Sequence, residues 1–263
     1  MPKLIILVGE DVGEVNLQRI RQAHPEIELR LGFTDKEFLS FAPEADIIFT
    51  KRWPPETAGI AKRLRWVQAG TAGVERMLHT GLAERDVALT NATGAHGVPM
   101  SEVILAMMLS FATGLHLLIR GQRQRQRLRD QVIKAKFELE GQTLCVLGLG
   151  DIGGTLACKA KGLDMRVLGV RRSAERHPCV DAQYLPGQLL QALPQADHVA
   201  LCLPLTAETR AIVAARELRA MKPTAYIYNV GRGASIEAGA LLQALREGWI
   251  AGAGLDVSDP EPL

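Results

Sequence analysis

Residues 143–162 read TLCVLGLGDIGGTLACKAKG, and the fold turns on this stretch. TLCVLG (143–148) is a short apolar run that predicts a buried strand, and the Ala- and Lys-rich end predicts a helix. Between them Gly148, Gly150 and Gly153 form GxGxxG. In such a turn the first glycine permits the sharp bend and the second lets backbone approach a pyrophosphate. The third lets helix and strand pack closely. The diphosphate then meets free N–H groups at the helix start, here those of Asp151 and Ile152. Strand, glycine turn and helix together predict dinucleotide binding; a glycine-rich turn in an unrelated α/β fold is the alternative.

The next strand, MRVLGV (165–170), bears on which dinucleotide. An NAD-binding fold usually ends this strand in Asp or Glu, for the adenosine ribose hydroxyls. Here it ends in Arg171, Arg172 and Ser173. Two guanidinium groups suit the extra phosphate of NADP, and no carboxylate is present to repel it. NADP is the expected cofactor, with NAD as the alternative.

Outward from this unit the pattern is β–α alternation. LIILV (4–8), ADIIFT (45–50), LRWVQ (64–68) and DVALTN (86–91) form one predicted strand series. A second continues through DHVALCL (197–203), AYIYNV (225–230) and IAGAGLDV (250–257). Such alternation predicts mostly parallel sheets covered by helices. Between the series, one helical pattern runs from Pro99 to about Arg129, with apolar residues at spacings of three and four. The expected architecture is two doubly wound α/β domains joined by a long helix. The first is flavodoxin-like, over residues 1–97. The second is a Rossmann dinucleotide-binding domain, over 98–263.

The chain has 263 residues, 47% hydrophobic, with 31 basic and 29 acidic side chains for a net charge of +2. That balance excludes a protein built for electrostatic capture of nucleic acid or membrane surface. Arg120, Arg123, Arg125, Arg127 and Arg129 read as a solvated helix end, since no aromatic residue interleaves them to stack on bases. No apolar run reaches the ~20 residues of a membrane span. MPKLIILVGE reads as a first strand rather than a leader. Cys145, Cys158, Cys179 and Cys202 show no CxxC and no metal-like pairing with histidine. This usage predicts a reducing cytoplasm, no disulfide framework and no metal site. No internal repeat is evident.

Several ordered motifs resemble the D-isomer-specific 2-hydroxyacid dehydrogenases, nearest to the glyoxylate/hydroxypyruvate reductases. They are WVQAGTAGVE (66–75), TNATGAHGVPMSEVILAMML (90–109), CLPLTAETR (202–210), NVGRGASIEAGALLQALREGWIAGAGLDV (229–257) and PEPL (260–263). The resemblance implies an oxidoreductase that passes hydride from a nicotinamide to a small 2-oxo acid, giving the 2-hydroxy acid. It implies that the Ala72 and Gly73 N–H groups bind the substrate carboxylate. Arg232 then pairs with the carboxylate and polarises the 2-oxo group, and Glu261 is the acidic partner of a histidine. Cys202, Leu203, Pro204 and Thr209 fall on the adenosine side, and Val230 and Asp256 towards the nicotinamide. A homodimer formed through the dinucleotide domain is also implied. The family's general-acid histidine follows the EPL motif by about 20 residues, a loop and strand of ordinary length, and so falls beyond Leu263, as does a C-terminal return segment. His96 matches no catalytic position. Trp53 reads either as a pocket wall or as loop packing. Two other readings stand beside the reductase: a non-catalytic, dinucleotide-sensing binding protein like the C-terminal-binding corepressors, and a formate- or phosphite-type dehydrogenase.

Overall fold

A computed structural model describes residues 3–260, with Arg76 described by its backbone alone. The chain divides between Thr93 and Gly94 into two compact units.

The first unit carries strands β1 (Leu4–Val8), β2 (Ile27–Leu31), β3 (Ile47–Thr50), β4 (Trp66–Ala69) and β5 (Ala88–Thr90). Its helices are α1 (Glu14–Ala23), α2 (Asp35–Phe41), α3 (Thr57–Ile60) and α4 (Glu75–Leu78). All strands are parallel, in the order β2-β1-β3-β4-β5. That is the flavodoxin-like order. Leu7, Phe38, Ile48, Val67 and Leu82 are fully buried at its core. The Thr34 hydroxyl caps α2 by accepting the Glu37 N–H, while the Glu37 carboxylate accepts the Thr34 N–H. This reciprocal pair satisfies two donors at the helix start.

The second unit opens with α5 (Gly97–Ala112), α6 (Leu115–Gln124) and α7 (Arg129–Ala135). The sequence predicted one helix here; the structure breaks it. Gly114 takes a left-handed φ of 69° before α6, and the axis turns by 70° between α5 and α6. Then follow β6 (Thr143–Leu147), α8 (Asp151–Lys161), β7 (Arg166–Val170), β8 (Ala182–Tyr184), α9 (Leu189–Ala192), β9 (His198–Leu201), α10 (Ala215–Ala220), β10 (Tyr226–Asn229), α11 (Ala238–Glu247) and β11 (Gly252–Leu255). The sheet is parallel throughout, in the order β11-β10-β9-β6-β7-β8. This is the doubly wound Rossmann order, which reverses between β6 and β9. β6 is buried at every residue, as a central parallel strand covered on both faces should be.

Both units fasten the amino ends of their strands in the same way. Asp46, just before β3, accepts the Ile5 N–H (3.0 Å) and pairs with Arg63. Asp197, just before β9, accepts the Thr143 N–H (2.9 Å) and pairs with Lys222 at 2.7 Å. Asp181, ahead of β8, does so for Val167 and Lys161. An N–H beyond the strand ladder still needs an acceptor, and PEAD (43–46) and PQAD (194–197) supply one in each unit. Among the described residues, no single helix is long and apolar enough to cross a membrane.

Candidate active site

The topological switch of the second sheet opens a cavity of about 450 Å³ at the carboxyl ends of β6, β7 and β9. An open α/β sheet offers its ligand crevice at such a point. The three glycines meet the demands expected of each. Gly148 has a φ of 92°, and a Cβ there would lie 2.8 Å from the Cys202 carbonyl oxygen. At Gly150 a Cβ would meet nothing within 4 Å, so the backbone stands open. A Cβ on Gly153 would collide with the Gly148 carbonyl, so helix and turn close-pack only without one. The α8 ladder begins with the Gly154 N–H on the Gly150 carbonyl at 2.8 Å. The N–H groups of Asp151 and Ile152 precede it and are free of helical partners. Residues and space therefore fit a dinucleotide diphosphate.

Arg171, Arg172 and Ser173 line the same cavity, as do Cys202, Leu203, Pro204 and Thr209. The Thr209 hydroxyl donates to the Pro204 carbonyl (2.6 Å) and accepts the Thr206 N–H (2.7 Å). It fastens its own loop. Leu149, Pro186, Thr206, Glu208 and Ile212 line it too, and the sequence reading did not single them out. Glu208 brings a carboxylate into this wall. The Thr206 hydroxyl, its own backbone N–H and the Arg172 charge hold it below its usual pKa. Cys202 lines the cavity, but burial pushes its thiol up to about 12, so it is no nucleophile at neutral pH.

At the carboxyl end of β10, Asn229 is 1% exposed and holds a turn. Its Nδ2 donates to the Arg232 carbonyl (2.9 Å), and its Oδ1 accepts the Gly231 N–H (3.0 Å). Arg232, half-buried, donates from Nη1 to the Gly231 carbonyl at 2.8 Å. Its backbone is thus fixed by a side chain that sequence reasoning missed; a polar residue ending an apolar strand was the available signal. The Asp256 N–H donates to the Asn229 carbonyl (3.0 Å), placing Asp256 beside that turn. Val230 is 6% exposed and packs into the core below. Glu261 lies outside the described residues.

In the first unit Ala72 and Gly73 sit on the loop after β4. Asn91 Nδ2 donates to the Ala72 carbonyl (2.7 Å) and the Thr71 hydroxyl to that of Gly73 (2.8 Å). With both carbonyls engaged, the loop holds a set shape. Trp53 donates from Nε1 to the Thr80 hydroxyl at 2.7 Å and packs against the first core. His96 stands at the amino end of α5 with no side-chain cap bond.

The cysteine expectation requires correction. Cys158 on α8 and Cys179 in the β7–β8 loop form a disulfide across 21 residues, with His177 beside them. The β7 crossover closes that distance, and linear spacing gave no sign of it.

The family model for the NAD-binding domain of D-isomer specific 2-hydroxyacid dehydrogenases matches residues 105–263. The glyoxylate reductase of Aeropyrum pernix is 35% identical over 235 residues, which cover 86% of this chain and 70% of that protein. That of Pyrococcus horikoshii is 30% identical, covering 98% and 80%. A crystal structure of a D-isomer specific 2-hydroxyacid dehydrogenase family protein from Aeromonas salmonicida superposes with a TM-score of 0.86 at 32% identity, covering 100% of this chain and 84% of that one. This chain therefore belongs to the D-isomer specific 2-hydroxyacid dehydrogenases, oxidoreductases that bind a nicotinamide dinucleotide.

Proposed function

We propose that the chain takes part in reducing a small 2-oxo acid of the glyoxylate or hydroxypyruvate kind, with NADPH as the cofactor. Arg232 carries this reading. An arginine whose backbone is held in the turn after β10 by a buried asparagine can clasp a carboxylate with two parallel hydrogen bonds. It also withdraws charge from the adjacent 2-oxo oxygen, where negative charge develops as the carbonyl is reduced. The Ala72 and Gly73 N–H groups belong to the same proposal as carboxylate donors. Glu261 would hold a histidine protonated, because a nearby carboxylate favours imidazolium.

When bound, the nicotinamide supplies the hydride. The Asp151 and Ile152 N–H groups would hold its diphosphate, and Arg171, Arg172 and Ser173 the ribose phosphate. Cys202, Leu203 and Pro204 would wall the adenosine, with Thr209 fixing their loop. Val230 and Asp256 would lie towards the nicotinamide. A homodimer formed through the second unit completes the proposal.

The test is turnover of glyoxylate and hydroxypyruvate by Arg232→Ala and Arg232→Lys proteins. Losing a preorganised donor of this kind costs ~10²–10³ in rate. The expected result is a lower kcat with a higher KM, and NADPH affinity unchanged. Lysine should restore little, because it cannot offer the planar pair of donors. Unaltered kinetics in both variants would overturn the assignment.

A further inference from the structure

The loop between β7 and β8 folds back onto α8 and gathers three metal-binding side chains. Cys158 lies on α8; His177 and Cys179 form an H-x-C step on the loop. The two sulfurs are bonded, with Cα atoms 5.0 Å apart. All three donor atoms lie within 4.8 Å of one another. The Cys179 N–H donates to His177 Nδ1 over 3.3 Å, so this nitrogen carries its lone pair on the cysteine side of the ring. A metal could take it in exchange for that long bond.

Two further features hold the cluster in place without the disulfide. Gln183 accepts the His177 N–H (3.0 Å) while its amide donates to the Ser173 and Glu175 carbonyls. Arg176 donates to the Asp181 carbonyl at 2.8 Å. These hydrogen bonds hold the loop independently of the S–S bond. Gly154, a glycine that GxGxxG does not require, stands one turn before Cys158 on the same helix face. A Cβ there would lie 2.9 Å from His177 Nε2, so the bare backbone makes room for the imidazole. Beside the cluster, Gly150, Asp151, Thr155 and Lys159 line a shallow hollow that Cys158 and His177 also border.

We propose that, once the disulfide is reduced, Cys158, His177 and Cys179 form a Zn²⁺ site whose oxidised, metal-free state is the disulfide. Two thiolates and one imidazole are a donor set for zinc, and the sulfurs need only part to ~3.8 Å to give tetrahedral bonds of ~2.3 Å. Reduction by a phosphine adds two electrons to the S–S bond. Phosphorus takes the oxygen of one water, and that water's two protons end on the sulfurs. Zn²⁺ binding then releases both thiol protons. The same segment begins with Arg171, so disulfide and metal would each fasten that loop to α8. Cys145 and Cys202 do not compete, because burial pushes both thiols up to about 12.

The experiment titrates the intact protein, reduced with tris(2-carboxyethyl)phosphine, with Co²⁺ and then Zn²⁺, following absorbance. It needs no turnover and so stands apart from the reductase proposal. The expected result is one Co²⁺ per chain, with thiolate-to-cobalt absorption in the near ultraviolet that one equivalent of Zn²⁺ abolishes. Unreduced protein should show none. His177→Gln should weaken Zn²⁺ at least tenfold, the scale on which even a supporting residue acts. The Cys158→Ser/Cys179→Ser protein should lose the absorption. The proposal is overturned if the reduced protein takes up no more metal than the double variant, or if the double variant keeps the absorption. Should the double variant not fold, unchanged Zn²⁺ affinity in His177→Gln overturns it equally.

Discussion

Arg171 and Arg172 are neighbours in the chain but meet different electrostatic surroundings. Both line the cavity, yet Glu208 on the opposite strand-end loop feels the Arg172 charge. A carboxylate beside Arg172 competes with any phosphate that would sit there, whereas the Arg171 N–H is tied to the Tyr184 carbonyl by 3.1 Å and its side chain borders the cavity. Arg171 is thus the arginine with more to give a ribose phosphate. A charge-assisted contact of this type contributes on the order of 1.5–3 kcal/mol. Arg171→Ala should weaken NADPH about tenfold or more and leave NADH nearly unchanged, with a smaller loss for Arg172→Ala. Glu208→Gln should strengthen NADPH, by removing a like charge from the phosphate's surroundings. Fluorescence titration with both cofactors reads all three variants, and equal losses for NADH and NADPH in Arg171→Ala would refute the NADP assignment. Most residues lining the switch-point cavity were legible because GxGxxG and the strand after it act through local geometry. Glu208 and Asn229 were not, because each acts through a partner that only the folded loop supplies.

Adjacent strands of the Rossmann sheet share a buried polar pair. His198 on β9 is fully buried, with Nδ1 3.0 Å from the Tyr228 hydroxyl on β10 and Nε2 2.6 Å from Gln142 Oε1. Burial lowers its pKa to about 4, against a smaller opposing pull from Asp197. The unfolded chain, with an ordinary value of 6.5, therefore binds a proton that the folded chain refuses. Stability should rise with pH between about 4 and 6.5 and be complete above that, by up to ~3 kcal/mol from this group. Urea midpoints at about pH 5 and about pH 7 should differ less in His198→Gln than in the unaltered protein; an equal difference would place the acid sensitivity elsewhere. The central strands were readable as apolar runs, but β2 and β8 were not. β2 is IELRL, an edge strand with alternating charges and half exposure along its whole length, and β8 has three residues. Neither carries the apolar run by which buried parallel strands announce themselves. The break at Gly114 was hidden because apolar spacing continues through it, and only the left-handed φ reveals the turn.

The whole molecule leaves an apolar surface along the α5–α7 segment of the second unit. Val98, Leu109, Leu115, Leu118, Ile119 and Ile133 are between 43% and 58% exposed, while Ile104, Met108 and Ala112 of α5 turn into the core. A stretch whose α5 already packs on α8 and the sheet has no need of this second set, and exposed apolar residues gathered on one segment mark association surfaces. Two-fold pairing is the commonest way for a soluble chain to cover such a surface, since each copy offers the same patch to the other. Arg120 and Arg123 follow on α6 and Arg125 caps it, so the apolar surface ends in a charged rim, as an interface core commonly does. Sedimentation at micromolar concentration should give twice the chain mass. Leu118→Glu introduces a charge at a position half open to solvent in the single chain, so folding should survive while the partner must bury an unpaired carboxylate. That variant should sediment as a monomer with an unchanged circular dichroism spectrum. A concentration-independent monomer for the unaltered chain would reject the dimer, and an unaltered mass in Leu118→Glu would move the interface off these helices.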